Sequence, residues 1–441
     1  MSTVPLPDLL ALSRYATSLL LAHPELASEA RPGAGPVTPD VLAQALAGAQ
    51  DDDEPALKAR LRRLRQRVLL RIMARDLSGE ATLAEVCGAM TALAETTLQA
   101  TQAWAQARLA ARHGVPRTPA GAAQDLIVVG MGKLGGGELN VSSDIDLVFV
   151  YPEEGETDGA TPLSAHEFFA RLGQRMIAIL GEVNADGFVF RVDMRLRPYG
   201  ESGPLVASLD ALENYVVTQG REWERYAWIK ARALTGGQHE ALEAIVRPFV
   251  FRKYLDFATL ASMRRLHNEV RREVTRRDLA DHVKLGPGGI REIEFIAQAL
   301  QLVRAGRDLQ LRVRPTLEVL ARLAERGLLP AEAVPELEAA YVFLRNVEHR
   351  LQYLDDRQTH TLPEEARDRA AIARMSGFAD WAAFSAALEV HRKAVTRHFQ
   401  EAFAETPESG EAALWQDDRE AVTALLEQQG FRDPEGSSAR L

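Results

Sequence analysis

Residues 126–151 read LIVVGMGKLGGGELNVSSDIDLVFVY, and this stretch decides the fold class. Residues 126–129 are a short apolar, β-branched run ending at Gly130, the pattern of a buried strand. Gly130, Gly132, Gly135, Gly136 and Gly137 follow within eight residues, with Lys133 among them. Glycine at that density lets backbone amides approach an anion closely. Ser142, Ser143, Asp144, Ile145 and Asp146 then run into the apolar segment 147–151, a second strand. Side chains alternate along a strand, so Asp144 and Asp146 share one face. Neighbouring carboxylates raise each other's pKa unless a cation lies between them, and a divalent metal on nucleotide phosphates satisfies both features. A Walker loop is a poor fit, because Lys133 is not followed by Ser or Thr and a strand, not a helix, follows. A dinucleotide fingerprint fails for want of the helix.

Working outward, Ser164 and Glu167 have capping-box spacing, and Phe168, Leu172, Met176 and Ile179 form the stripe of the helix they open. After a turn at 184–187, Phe190, Val192, Met194 and Leu196 alternate with Arg191, Asp193, Arg195 and Arg197. That is a half-buried strand with one ionic face. Asp193 reads either as part of a salt-bridge ladder or as a third metal ligand, with Arg195 and Arg197 placed to meet phosphate oxygens.

A glycine turn, a DxD strand and a third Asp on a later strand resemble the DNA polymerase β type of nucleotidyltransferase. GMGKLGGGELNVSSDIDL, RVDMRLRPYGESGPL, REWERYAWIKAR and KLGPGGIREIEF together resemble the glutamine synthetase adenylyltransferase family, over roughly residues 120–360. Members of that family carry two nucleotidyltransferase domains. GGGELN followed by SSDIDL is similar to the N-terminal, adenylyl-removing half rather than the adenylylating one. The resemblance implies phosphorolysis: inorganic phosphate attacks the AMP phosphorus of adenylyl-tyrosine on glutamine synthetase and releases ADP. It implies Asp144, Asp146 and Asp193 as ligands of Mg²⁺, with Mn²⁺ a possible substitute. It further implies phosphate contacts from the loop 130–137, Ser142 and Ser143, with Arg195 and Arg197 for the attacking phosphate. Its implied partners are adenylylated glutamine synthetase, ATP or ADP, and the uridylylated PII signal protein as activator.

Three other readings of these residues stay open: the forward adenylylation, a tailing enzyme acting on RNA, and a non-catalytic regulatory module. Composition weighs against RNA, since Lys and Arg total 52 against 62 Asp and Glu, a net charge of −10. Retention of all three Asp positions weighs against a decayed module.

The rest of the 441 residues reads as helix. Asp51 to Glu54 with Pro55 start a helix whose apolar face is Leu57, Leu61, Leu64, Val68 and Ile72. Arg60, Arg62, Arg63, Arg65 and Arg67 make its remainder basic, which predicts a solvated face. A second helical pattern covers 83–109, and the Gly/Pro-rich segment 113–123 reads as a linker. A short amphipathic helix is expected over 209–217. Residues 221–230 mix aromatic and basic side chains, either a packed face or one that brings Arg225 or Lys230 to nucleotide phosphates. Residues 264–277 form a strongly basic segment that is either solvated or meets an acidic protein surface. Gly286, Pro287, Gly288 and Gly289 enter a helix whose N-terminus would favour an anion. Later helices are expected over 321–328, 333–354 and 381–403, with Glu348 and His349 in structural or surface roles.

These readings make an α+β protein, mostly helical overall: an N-terminal helical region (1–115), a nucleotidyltransferase-like mixed-sheet domain (116–235), a C-terminal helical bundle (236–405) and a polar tail (406–441). The single Cys87 excludes an intrachain disulfide and fits a reducing cytoplasm. With no apolar run near ~20 residues and no basic-then-apolar leader, neither a membrane span nor a signal peptide is expected.

Overall fold

A computed structural model describes residues 5–252 and 279–403. The basic segment 264–277 and the polar tail 406–441 lie outside the described residues. Five helices come first: α1 (Leu6–Leu10), α2 (Arg14–Ala22), α3 (Pro39–Ala45), α4 (Glu54–Leu77) and α5 (Leu83–His113). Asp53 caps α4 by accepting the Ala56 amide at 2.9 Å, and all five apolar positions read for that helix are buried.

The basic remainder of α4 is solvated only in part: Arg63 and Arg67 are exposed, as composition suggests, while Arg62 and Arg65 are buried. Arg65 is buried and forms two 2.7 Å bonds to Asp356. Arg62 donates to the carbonyls of Lys58, Ile179, Glu182 and Gly187. Arg60 pairs with Asp52, while Arg67 and Arg71 share Glu29. Arg62 and Arg65 thus hold α4 to segments far along the chain, which no local pattern reports.

A mixed sheet follows. Its strands are β2 (Ile127–Gly130), β3 (Ile145–Tyr151), β5 (Val192–Asp193), β6 (Val206–Ser208) and β7 (Arg232–Ala233). Strand β3 is central: β2 pairs with it antiparallel, Gly130 opposite Leu147, and β5 and β6 pair with it parallel along its other edge. Strand β7 lies antiparallel to β2. Every residue of β3 except Asp146 is buried, as expected of a strand covered on both faces. The Gly/Pro-rich segment read as a linker carries β1 (Pro116–Arg117), which pairs with β4 (Glu156–Thr157).

Helix α7 (Ala165–Gly181) backs the sheet, capped by Ser164 Oγ on the Glu167 amide. Gly173 lets it close onto β3, since a Cβ there would lie 2.7 Å from Phe149 Cδ2. The long strand expected through residue 197 is only two residues. The Asp193 carboxylate accepts the Arg195 amide at 2.8 Å, the Arg197 amide bonds Met194, and the chain turns out of the sheet.

Helices α8 (Leu209–Thr218), α9 (Glu222–Trp228) and α10 (His239–Val250) lead away from the sheet. Beyond residue 279 come α11 (Ile290–Arg304), α12 (Thr316–Glu325), α13 (Ala333–Asp355), α14 (Ala366–Met375) and α15 (Trp381–Phe403). The helix expected over 321–328 begins five residues earlier and ends before Gly327, whose φ of +65° stops it. No helix among the described residues is long and apolar enough to cross a membrane.

Candidate active site

Parallel pairing of β3 with β5 sets Asp146 beside Asp193, and Asp144 precedes Asp146 by the two-residue period. All three line one cavity of about 520 Å³, within the usual size of a small-molecule site. Its sheet-side wall includes Gly132, Lys133, Ser143, Arg195 and Leu196.

The loop after β2 contains a single helical turn, α6 (Gly132–Gly135), anchored by the Met131 amide on the Asp146 carbonyl. A Cβ at Gly132 would lie only 3.7 Å from Asp146 Oδ2, so the turn starts against the carboxylate. The amides of Gly132 and Lys133 meet no backbone carbonyl among the described residues. Gly130, Gly135, Gly136 and Gly137 do not line the cavity. Gly135 instead serves close packing: a Cβ there would lie 2.1 Å from the Lys230 carbonyl oxygen.

Several expected phosphate contacts are engaged elsewhere. Ser142 is buried, its amide on Gln352 and its carbonyl on Arg191. Arg197 donates to the carbonyls of Met194, Glu201 and Gly203, closing its own turn. Arg225 is buried against Glu222 and the carbonyls of Phe249 and Val250. Neither arginine reaches the cavity. Lys230 borders it, but its Nζ donates to Glu138 at 2.6 Å and Thr316 at 2.9 Å. Arg195 remains in the wall, with Nε 2.8 Å from Asp193 Oδ2.

Glu138, from GGGELN, also accepts the Thr316 amide and the Tyr341 hydroxyl. Arg345 donates to the Glu138 carbonyl and to Asn140 Oδ1, and His349 Nε2 lies 3.2 Å from the same Asn140 oxygen. Part of the motif therefore welds the sheet to α12 and α13. Glu348 and His349 are both buried, and Glu348 holds the Lys133 ammonium at 3.1 Å while His360 Nδ1 lies 2.6 Å away.

The electrostatics follow from burial and neighbours. Burial, then Asp193 and Asp144, push the Asp146 carboxyl up to about 6. The Arg195 guanidinium holds Asp193 below the usual carboxylate range. Burial draws the Lys133 ammonium down to about 8 against the pull of Glu348. Burial would raise Glu348, but Lys133, His360 and Arg345 outweigh it and keep the carboxylate ionised.

Three carboxylates on one wall are hard oxygen donors suited to Mg²⁺. Asp146 fits a cation best, being half-buried among like charges. Among the described residues no three acidic, His or Cys side chains already form a metal cluster. Arg191 Nε holds Asp144 at 2.7 Å and Arg195 holds Asp193, so both would exchange an arginine for the metal.

The second wall is not predicted by the sequence motifs. His282, Lys284, Leu285, Arg291, Glu294, Gln298, Gln358 and His360 line the cavity from beyond residue 279. Part of the signal lies in KLGPGGIREIEF, where Lys284, Arg291 and Glu294 flank the glycine turn. That turn offers an anion few amides: those of Gly289, Ile290 and Arg291 bond the carbonyls of Gly286, Val283 and Lys284. The Gly288 amide bonds Glu292.

A mixed sheet that sets a DxD pair and a third Asp around a turn with open amides defines a nucleotidyltransferase-like domain. The chain belongs to the glutamate-ammonia ligase adenylyltransferase family, whose model matches residues 4–245. Residues 261–403 match a second family model, described as GlnD PII-uridylyltransferase. Relatives named bifunctional glutamine synthetase adenylyltransferase/adenylyl-removing enzyme are similar along most of the chain. The one from Aromatoleum aromaticum is 52% identical over 97% of this chain and 46% of its own length. That from Chromobacterium violaceum is 55% identical over 88% and 44%, and that from Nitrosomonas eutropha 56% over 80% and 38%. The chain thus spans less than half the length of these three relatives.

Proposed function

We propose that this chain removes AMP from adenylylated glutamine synthetase by phosphorolysis, as a cytoplasmic enzyme of nitrogen regulation. The observation that carries the reading is the register of β3 and β5, which brings Asp146 and Asp193 side by side with Asp144 on one cavity. Asp144, Asp146 and Asp193 would hold Mg²⁺, or Mn²⁺ in its place. The bound ion supplies charge neutralisation at the phosphate oxygens and the departing tyrosine oxygen. The amides of Gly132 and Lys133 are free to meet phosphoryl oxygens, and Ser143 borders the same space. Lys133 keeps its charge beside that turn because Glu348 pairs with it. Catalysis of this kind rests on placement and charge, with no covalent protein intermediate.

The direction is supported by the resemblance of GGGELN and SSDIDL to the removing half of the family. The relatives' names carry both activities. Uridylylated PII as activator rests on the same resemblance, and the match of residues 261–403 to a PII-uridylyltransferase model supports a link to PII signalling.

The test is incubation with AMP-modified glutamine synthetase, Mg²⁺ and inorganic phosphate, following ADP. Asp144→Asn or Asp146→Asn should lower turnover at least ~100-fold with unchanged circular dichroism, the scale of losing an electrostatic stabiliser. Near-normal turnover in both variants would sink the metal assignment. ATP-driven labelling of unmodified glutamine synthetase, with no ADP formed from the modified enzyme, would establish adenylylation instead.

A further inference from the structure

Among the described residues, five cationic side chains line the cavity: Lys133, Arg195, Lys230, Lys284 and Arg291. Three are committed to carboxylates, Lys133 to Glu348, Arg195 to Asp193 and Lys230 to Glu138. Lys284 and Arg291 make no side-chain hydrogen bond or ion pair among the described residues, and both are half-buried. Glu294 shares their wall without pairing with either. Half-buried cations left unpaired in a cavity cost desolvation that an anion would offset.

The two cations are also held in place. The Arg291 amide donates to the Lys284 carbonyl at 3.0 Å, and the Ile290 amide to Val283 at 3.1 Å, so one closed turn presents both. The turn is seated on α15, since a Cβ at Gly288 would lie 2.2 Å from the Arg392 carbonyl oxygen. His282 adds a third donor. Its Nδ1 accepts the amides of Lys284 and Leu285, which leaves the proton on Nε2. Lys284 stands near enough to Asp146 to act on its carboxylate electrostatically.

We propose that Lys284 and Arg291, with the Nε2–H of His282, form the subsite for the attacking inorganic phosphate. This rests on the phosphorolytic reading above and takes the role expected of Arg197, which closes its own turn, and of Arg195, which pairs with Asp193 in this structure. A hydrogenphosphate dianion held there forms a bond from one oxygen to the adenylyl phosphorus as the phosphorus–tyrosine oxygen bond breaks. The bonding electrons leave with the tyrosine oxygen, which ends with the phosphate's proton. ADP is the other product, so atoms and charge balance.

The experiment uses the full chain in two arms: equilibrium dialysis with radiolabelled inorganic phosphate, and phosphate KM in the phosphorolysis assay. Lys284→Gln and Arg291→Gln should each weaken phosphate binding and raise its KM roughly ten- to hundredfold, the worth of a charge-assisted hydrogen bond. The KM for modified glutamine synthetase should stay within about twofold, and Arg291→Lys should recover part of the loss, which a folding defect would not show. Unchanged phosphate binding and KM in both Gln variants overturns the subsite. So does a phosphate defect confined to Arg195→Gln. If the unaltered chain yields no ADP yet dialysis shows phosphate bound through Lys284 and Arg291, the phosphorolytic reading falls while the anion subsite stands.

Discussion

Replacing Asp146 by Asn should abolish activity and yet stabilise the metal-free protein. Burial first, and then Asp193 and Asp144, raise this carboxyl from its ordinary value to about 6. A raised folded-state pKa means the native state holds the proton more tightly than the unfolded chain. The stability it contributes is fully present below the unfolded pKa, about 3.9, and is lost as pH rises through about 6. At pH 7.5 the ionised carboxylate is therefore a net cost, about 3 kcal/mol at full shift and ~1–3 kcal/mol after screening by partial exposure. Asn keeps the shape and removes the charge. In EDTA at pH 7.5, thermal unfolding of Asp146→Asn should lie roughly 1–4 °C above the unaltered protein, given the unfolding entropy of a chain this size. At pH 4 the advantage should shrink toward zero. Added Mg²⁺ should raise the midpoint of the unaltered protein and leave the variant nearly unmoved, because only the former gains binding free energy. A variant less stable than the parent in EDTA at pH 7.5, or an equal gain at both pH values, would refute the electrostatic account of the site.

Two further outcomes follow from the packing around GGGELN. Gly135→Ala places a Cβ 2.1 Å from the Lys230 carbonyl oxygen and 2.4 Å from that of Gly130, so backbone must move; a loss of about 2–4 kcal/mol in urea unfolding is expected. Gly136→Ala meets side-chain atoms of Glu138 and Lys230 at 3.1 Å and the Gly132 carbonyl oxygen at 3.4 Å, contacts that a shift of a few tenths of an ångström relieves, and should cost visibly less. Glu138→Ala removes the anion shared by Lys230, Thr316 and Tyr341 and strands a buried ammonium, so it should cost about 3–5 kcal/mol. A urea midpoint within error of the parent would show that this hub does not hold the sheet to α12 and α13.

Whatever is written in local period was legible. The β2–turn–β3 unit, the Ser164 cap with its stripe from Phe168 to Ile179, and the apolar face of α4 each depend on residues a few positions apart. The same-face placement of Asp144 and Asp146 follows from the two-residue period. Alternation misled over residues 190–197, because a carboxylate that bonds the amide two residues on competes with the sheet, and periodicity carries no trace of that competition. The arginines of α4 misled for a different reason. Composition predicts solvation, but Arg65 meets Asp356 across 291 positions, and charge pairs over such separations exist only once the helices pack.

The sequence by itself determined a mixed-sheet nucleotidyltransferase-like unit among helices and its DxD pair; Asp193 stood as one of two readings until the β3–β5 register set it beside Asp146. Only the tertiary structure decided how the other polar residues were divided between site and scaffold. Lys230 and Arg225 have the charge of a phosphate site but are buried against Glu138 and Glu222, since a buried charge must find its counter-charge wherever the fold supplies one, and Arg197 is spent on the carbonyls of its own turn. Lys284 and Arg291, 140 and 147 positions beyond Asp144, complete the cavity because α11 packs there and leaves both cations without a carboxylate among the described residues. Spacing along the chain sets which side chains can share a face; which of them stay available to a ligand depends on what the rest of the chain brings against them.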